Sequence, residues 1–309
     1  MYVHKLILKK TKFMNKMIMN RLTMLAVTLM ASIACFAQGN GKMATSLINQ
    51  PHAQGDIVDL YELRYYIVAV EGDILSLEVI GFASDITGTV GAVYGDAGNP
   101  DKVTDLYEGV LEIPSNYPAS EVGFQCQITS IAENAFTATT CRNDDTKYKS
   151  KFADAAALVN KILISYDAEF PNAITIGANA FGALTSVTEV ENLTPGAKIN
   201  AIPKSSFAAS VFKTASLIVP ASEGSFLSYA KTAGWREFCK LYKKGSSIML
   251  GDTNGDRKLT IGDAQNVLTL IAKIKAGTAS YNEIYDINGD GKITIADAQD
   301  LITKYQKSK

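Results

Sequence analysis

The sequence predicts a mixed α/β protein: a solenoid of stacked repeats, preceded by a β region and closed by a small all-α module. Three observations point there. Alternating apolar runs come first, a segment ending in Phe then occurs three times, and one Asp-rich loop occurs twice near the C-terminus. The 309 residues allow about two domains on a prior of roughly 100–200 residues each. Hydrophobic residues make up 47% and charged residues 20%, the balance of a chain that buries a core. The formal net charge is −1, and no Lys/Arg cluster stands outside the N-terminus, so nucleic acid is not an expected partner.

Residues 1–37 read as a secretory signal peptide. Lys16 and Arg21 precede an apolar run, Leu22 to Ala37, that ends in Cys35-Phe36-Ala37 before Gln38. The run is shorter than the ~20 residues a membrane span requires, so no transmembrane span is expected. The mature chain is therefore expected outside the cell, secreted or at the cell surface. Met14, Met17 and Met19 each give a more usual signal length than Met1. Ser32-Ile33-Ala34-Cys35 resembles a lipoprotein processing site, with Ser32 where Leu is usual. After processing, Cys126, Cys141 and Cys239 remain, an odd count that leaves at least one unpaired or bonded elsewhere. A Cys126–Cys141 bridge is allowed in an oxidising compartment, and two buried thiols are the alternative. A nucleophilic Cys would want a His, and the chain has only His4, inside the leader, and His52.

Residues 38–109 form the expected β region. Leu63 to Val70 and Ile74 to Ile80 alternate in the strand pattern, and Gly72-Asp73 divides them as a hairpin turn would. Gly88, Gly91, Gly95, Gly98 and Pro100 then mark a loop-rich passage. Residues 110–245 carry the repeat. Ile128-Thr129-Ser130-Ile131-Ala132-Glu133-Asn134-Ala135-Phe136 returns at Ile174 to Phe181 and, more loosely, at Ile199 to Phe207. Phe181 and Phe207 are 26 residues apart, within the roughly 20–29-residue period of leucine-rich repeats. One such unit cannot bury its apolar face alone, so neighbours must stack on it. The 45 residues from Phe136 to Phe181 require an insertion, for which helix-like Ala153 to Leu158 and strand-like Ile162 to Ile164 are available.

The Ile-x-x-Ile-x-x-x-Ala-Phe pattern at Ile128–Phe136 resembles the BspA-type leucine-rich repeats of bacterial surface proteins. Leu111 to Ser115 resembles the strand that leads into such repeats. Leu217 to Pro220, with Tyr229-Ala230 and Gly234 to Phe238, resembles their terminal unit, and Trp235 is expected in its core. The resemblance implies a surface or adhesion role, with a host or glycan ligand, and no catalytic residues.

Residues 246–309 carry the chemistry. Asp252-Thr253-Asn254-Gly255-Asp256-Arg257-Lys258-Leu259-Thr260-Ile261-Gly262-Asp263 is matched 34 residues later by Asp286 to Asp297. Calcium is a hard cation that takes about six to eight oxygens, which a 12-residue loop supplies from positions 1, 3, 5, 7, 9 and 12. Asp252, Asn254, Asp256 and Asp263 fall at positions 1, 3, 5 and 12 of the first loop, and Asp286, Asn288, Asp290 and Asp297 at those of the second. Lys258 and Lys292, at position 7, would offer backbone carbonyls. Thr260 and Thr294, at position 9, are placed for a bridging water. Two calcium ions are thus expected, and the absence of soft ligands in the loops disfavours zinc or copper. A helical pattern follows each loop, and Val267, Leu268, Ile271, Leu301 and Ile302 read as a small common core.

Asp rather than Glu at position 12 of both loops, and only a few residues between the polar joint Lys243–Ser247 and Asp252, make this segment resemble a type I dockerin. The resemblance implies an all-α dockerin-like fold of paired loop–helix units and a cohesin-like protein domain as partner. Loop positions 10 and 11, with a residue on the following helix turn, would face that partner: Ile261, Gly262 and Gln265 in one unit, Ile295, Ala296 and Gln299 in the other. The near-identity of the units predicts two equivalent faces. Arg257 replaces the usual Gly at position 6, where a left-handed backbone costs a non-Gly residue roughly 1–2 kcal/mol, so the first loop is expected to be the weaker site. No GxSxG, HExxH, P-loop or GxGxxG stands in the chain, and the expectation is a non-catalytic binding scaffold tethered through its calcium module. The alternatives are an extracellular polysaccharide-degrading component, and an adhesin whose calcium module only caps the fold.

Overall fold

The alternating runs at Leu63 and Ile74 pair as antiparallel strands, because each buries one face and a two-residue turn joins them. β1 (Ile57–Leu60), β2 (Leu63–Glu71) and β3 (Ile74–Phe82) follow one another in the sheet. Glu71 lies opposite Ile74, and Gly72 makes the turn at φ +62°, which glycine adopts without steric cost. Leu63, Tyr65, Ile67, Leu75, Leu77 and Val79 are fully buried. The computed structural model describes residues 52–60, 63–82, 109–117, 119–122, 124–137, 156–170 and 172–309. The signal peptide, the Gly88–Pro100 loop, Cys141 and Ala153 to Ala155 lie outside these residues.

After β4 (Val110–Ile113), β5 (Asn116–Tyr117) and the short helix α1 (Ala119–Val122) comes β6 (Gln125–Ile131), the first repeat strand. β6 pairs parallel to β3, with Leu77 opposite Ile128 and Val79 opposite Ile131. β5 and β8 (Thr175–Ile176) also pair with β6, giving a six-stranded mixed sheet. The second sheet has five parallel strands in the order β11-β10-β9-β7-β4, with β7 Lys161–Ile164, β9 Glu189–Asn192, β10 Ser216–Val219 and β11 Lys240–Lys243. α2 (Ala209–Thr214) and α3 (Ser225–Lys231) flank β10.

This architecture corrects the expected fold class. A leucine-rich-repeat solenoid needs like units that contact only their neighbours. Here the N-terminal hairpin and the first repeat strand share one mixed sheet, and antiparallel β5 closes on the same strand. The expected all-α module is also not formed. In residues 246–309 only α4 (Ile261–Lys275), α5 (Ile295–Lys307) and a 3₁₀ turn, Glu283–Tyr285, are helical. The loops resist helix because Gly255, Arg257, Gly289 and Gly291 all have φ between +64° and +85°.

The recurring Phe residues nevertheless meet. Phe136 stacks on Phe181 at 5.5 Å and Phe181 on Phe207 at 4.9 Å, all three buried. The turns before them match: Asn134 and Asn179 are both left-handed, at φ 56° and 55°, and Asn179 Nδ2 donates to Asn134 Oδ1 at 2.6 Å. Trp235 ends this column, 2% exposed, its Nε1 donating to the Asn200 carbonyl. Residues 45–309 form one compact unit, and a single apolar core runs from Val58 to Leu301. Among the described residues no helix is long and apolar enough to cross a membrane.

Candidate functional site

Each Asp-rich loop folds around its own carboxylates. Asp252 Oδ1 accepts from the Gly255 and Asp256 amides and its Oδ2 from the Arg257 amide at 2.7 Å. Asp286 does the same work in the second loop, its Oδ1 accepting from Asp290 N and its Oδ2 from Gly291 N at 2.8 Å. Asn254 and Asn288 accept from the Asp256 and Asp290 amides, and Asp256 and Asp290 from the Lys258 and Lys292 amides. The two loops thus share most of one hydrogen-bond pattern; the Gly255 amide bond to Asp252 Oδ1 is an exception, since the Gly289 amide bonds to the Asp286 backbone carbonyl instead.

Position 12 ties each loop to its helix. Asp263 Oδ2 accepts from the Thr260 amide and hydroxyl, while its Oδ1 accepts from Thr253 at the loop's start. Asp297 makes the matching bonds to Thr294, Ile287 and Asn288. Thr260 and Thr294 are the N-caps of α4 and α5, in capping boxes with these Asp residues. Both helices therefore start two residues before the position-12 Asp, and the Thr260 and Thr294 hydroxyls donate to its carboxylate.

Burial sets the electrostatics. Asp252 is 7% exposed, and Asp263, Asp286 and Asp297 are fully buried. Among the described residues no lysine or arginine comes within ion-pair distance of any of the four. Burial pushes the Asp297 carboxyl above its ordinary value, and the Asp286 charge adds to that, against the amide hydrogen bonds that lower it. Buried carboxylates without a cation are costly. As the loops stand, however, no three His, Cys, Asp or Glu side chains among the described residues are arranged to hold a metal. Asp256 and Asp290 are exposed and turned onto backbone amides. The donor set is all oxygen, which fits a hard divalent cation and no soft one.

The sequence did not single out several participants. Tyr281 donates its hydroxyl to Asp286 Oδ2 at 2.7 Å, and burial followed by that carboxylate raises its pKa. Asn266 donates to the Thr253 hydroxyl, and Gly251 sits where Leu259, Ile287 and Leu301 converge. The expected core is corrected at one position: Val267 and Leu301 are buried, Ile271 and Ile302 half-buried, but Leu268 is 47% exposed. All six expected partner-facing residues, Ile261, Gly262, Gln265, Ile295, Ala296 and Gln299, are exposed. Lys258 and Lys292 are exposed too, as backbone ligands allow. Away from the loops, Cys126 and Cys239 are free, buried thiols, and burial pushes Cys126 up to about 12.

The family described as the dockerin type I domain matches residues 250–304, spanning both loops, α4 and most of α5. The match does not reach residues 110–245, so their reading as BspA-type repeats gains no support from it. No curated protein and no solved structure matches the chain.

Proposed function

We propose that each loop holds one calcium ion and that the module so formed docks this chain onto a cohesin domain outside the cell. One observation carries the reading: two loops in matching register bury four carboxylates that, among the described residues, no cationic side chain neutralises. Dockerin domains bind cohesin domains, and type I dockerins bind calcium. Asp252, Asn254, Asp256, the Lys258 carbonyl and Asp263 would hold one ion. Asp286, Asn288, Asp290, the Lys292 carbonyl and Asp297 would hold the other. The ion supplies the positive charge that these carboxylates lack, and Asp256 and Asp290 must turn inward to meet it. Hydrogen bonds donated by backbone amides to Asp252, Asp263, Asp286 and Asp297 already hold the deeper oxygens in place.

The remainder of the chain is proposed as a non-catalytic body carried by this tether. A raised, buried Cys126 is a poor nucleophile, which supports that reading. The test is binding of the full chain to a panel of immobilised type I cohesin domains, in calcium and then in excess chelator. The reading predicts capture by at least one cohesin and a loss of at least about 100-fold, ~2.7 kcal/mol, on chelation. Capture that ignores the chelator, or no capture by any cohesin, refutes it.

A further inference from the structure

The two halves of the calcium-loop module match in sequence but differ in their surroundings. α5 lies against the chain's own body. Lys304 Nζ donates to the carbonyls of Arg236 at 2.7 Å and Phe238 at 2.6 Å, closing the end of the 3₁₀ turn Trp235–Glu237. Lys307 pairs with Glu237 at 3.0 Å. The second loop is held close as well: a Cβ on Gly289 would stand 2.3 Å from the Leu227 carbonyl oxygen of α3.

α4 has no such attachment. Its residues at the register of Asp300, Lys304 and Lys307 are Asn266, Leu270 and Lys273. Among the described residues no hydrogen bond or ion pair joins α4 to residues before 246; its side chains bond to Thr253, to the N-cap Thr260 and within α4 itself. What α4 shows instead is apolar. Ile261 is 55% and Leu268 47% exposed, seven residues apart and so on one helix face. Gln265 and Ala272 lie on that face and are exposed. The residue of α5 that corresponds to Leu268 is Ile302, which packs half-buried against the core.

We infer that the chain offers a cohesin one docking face, α4, and that α5 is committed to holding the module against the body. This rests on the docking reading above. A stable protein interface covers about 800 Å² on each partner. Centred on Ile295 and Gln299, such a footprint runs along α5 to Thr303 and Lys307 and meets Glu237 and Arg236 of the body. Centred on Ile261 and Leu268, it runs along α4, where among the described residues no hydrogen bond or ion pair ties the helix to the body. The matching partner surface is an apolar strip for Ile261 and Leu268, flanked by carboxylates for exposed Arg257, Lys258, Lys273 and Lys275. The symmetry expected from the repeated sequence is thereby broken by the rest of the chain.

The test uses the full chain in calcium, a cohesin domain that binds the wild type, and two single variants at exposed positions. Leu268→Glu is expected to weaken binding at least about 50-fold and Ile295→Glu less than about threefold, with calcium-dependent circular dichroism unchanged in both. Two silent single variants with a binding-dead double variant would mean two equivalent faces and overturn the inference. So would a dominant loss from Ile295→Glu. A wild type that binds no cohesin overturns the docking reading and this inference with it. Reductive methylation read by mass spectrometry supplies an arm that needs no partner. Lys304 should react at least about tenfold more slowly than Lys273 in the intact chain, and equal rates would mean that α5 is not docked.

Discussion

Replacing Arg257 by Gly should strengthen the first calcium loop. Arg257 sits at φ +64°, and its amide makes the same bond to Asp252 Oδ2 that the Gly291 amide makes to Asp286 Oδ2. The first loop therefore makes the bond with a side chain in a left-handed backbone, at a cost of roughly 1–2 kcal/mol. Glycine removes that cost but returns about 0.5–1 kcal/mol through the greater freedom of the unfolded chain. The net gain is about 0.5–1 kcal/mol, or two- to fivefold in affinity. The compact loop is the form that binds, so the gain appears in the calcium affinity of the weaker site. Calorimetric titration of the full chain resolves it. The reciprocal change, Gly291→Arg at φ +85°, should weaken the second site at least as much. An unchanged weaker site in Arg257→Gly, together with a harmless Gly291→Arg, would refute the reasoning.

Three further outcomes follow from the packing and charges. Phe181→Ala removes a fully buried ring stacked between Phe136 and Phe207 and should cost about 3–5 kcal/mol in urea unfolding. Gly289→Ala puts a Cβ against the Leu227 carbonyl at a left-handed position and should raise Lys304 methylation while leaving the first loop's calcium affinity within about twofold. At Glu191, burial alone would raise the pKa, but hydrogen bonds from Lys161 and Lys244 outweigh it and hold the carboxyl below its ordinary 4.5. Its stabilisation is complete above that value and is lost as pH falls through the lower folded value. Glu191→Gln should therefore make the acid side of the stability profile shallower, by less than about 1 kcal/mol.

The local patterns were legible and the long-range pairings were not. Alternation and Gly72-Asp73 predicted the β2–β3 hairpin, and the spacing of Asp252 to Asp263 and Asp286 to Asp297 predicted two loops of one pattern. Helix starts were misplaced by two residues because Thr260 and Thr294 take the N-cap; the Thr-x-x-Asp spacing carried that signal. Recurrence of Ile128 to Phe136 predicted that Phe136, Phe181 and Phe207 would stack, but not that β6 would join the N-terminal sheet. The β3–β6 pairing joins residues about fifty positions apart, and no local propensity encodes it. Leu268 reads as core by helical spacing, yet on α4 it stands 47% exposed. Nothing in the sequence pattern singles out Lys304 and Lys307; only the fold brings Arg236 to Phe238 beneath them.

Calorimetric titration of the full chain with calcium tests the central claim most directly. Two ions per chain are predicted, the second loop binding tighter. Asp286→Ala should remove the tighter site and Asp252→Ala the weaker one. A chain that takes up no calcium, or whose uptake survives both substitutions together, would contradict the account.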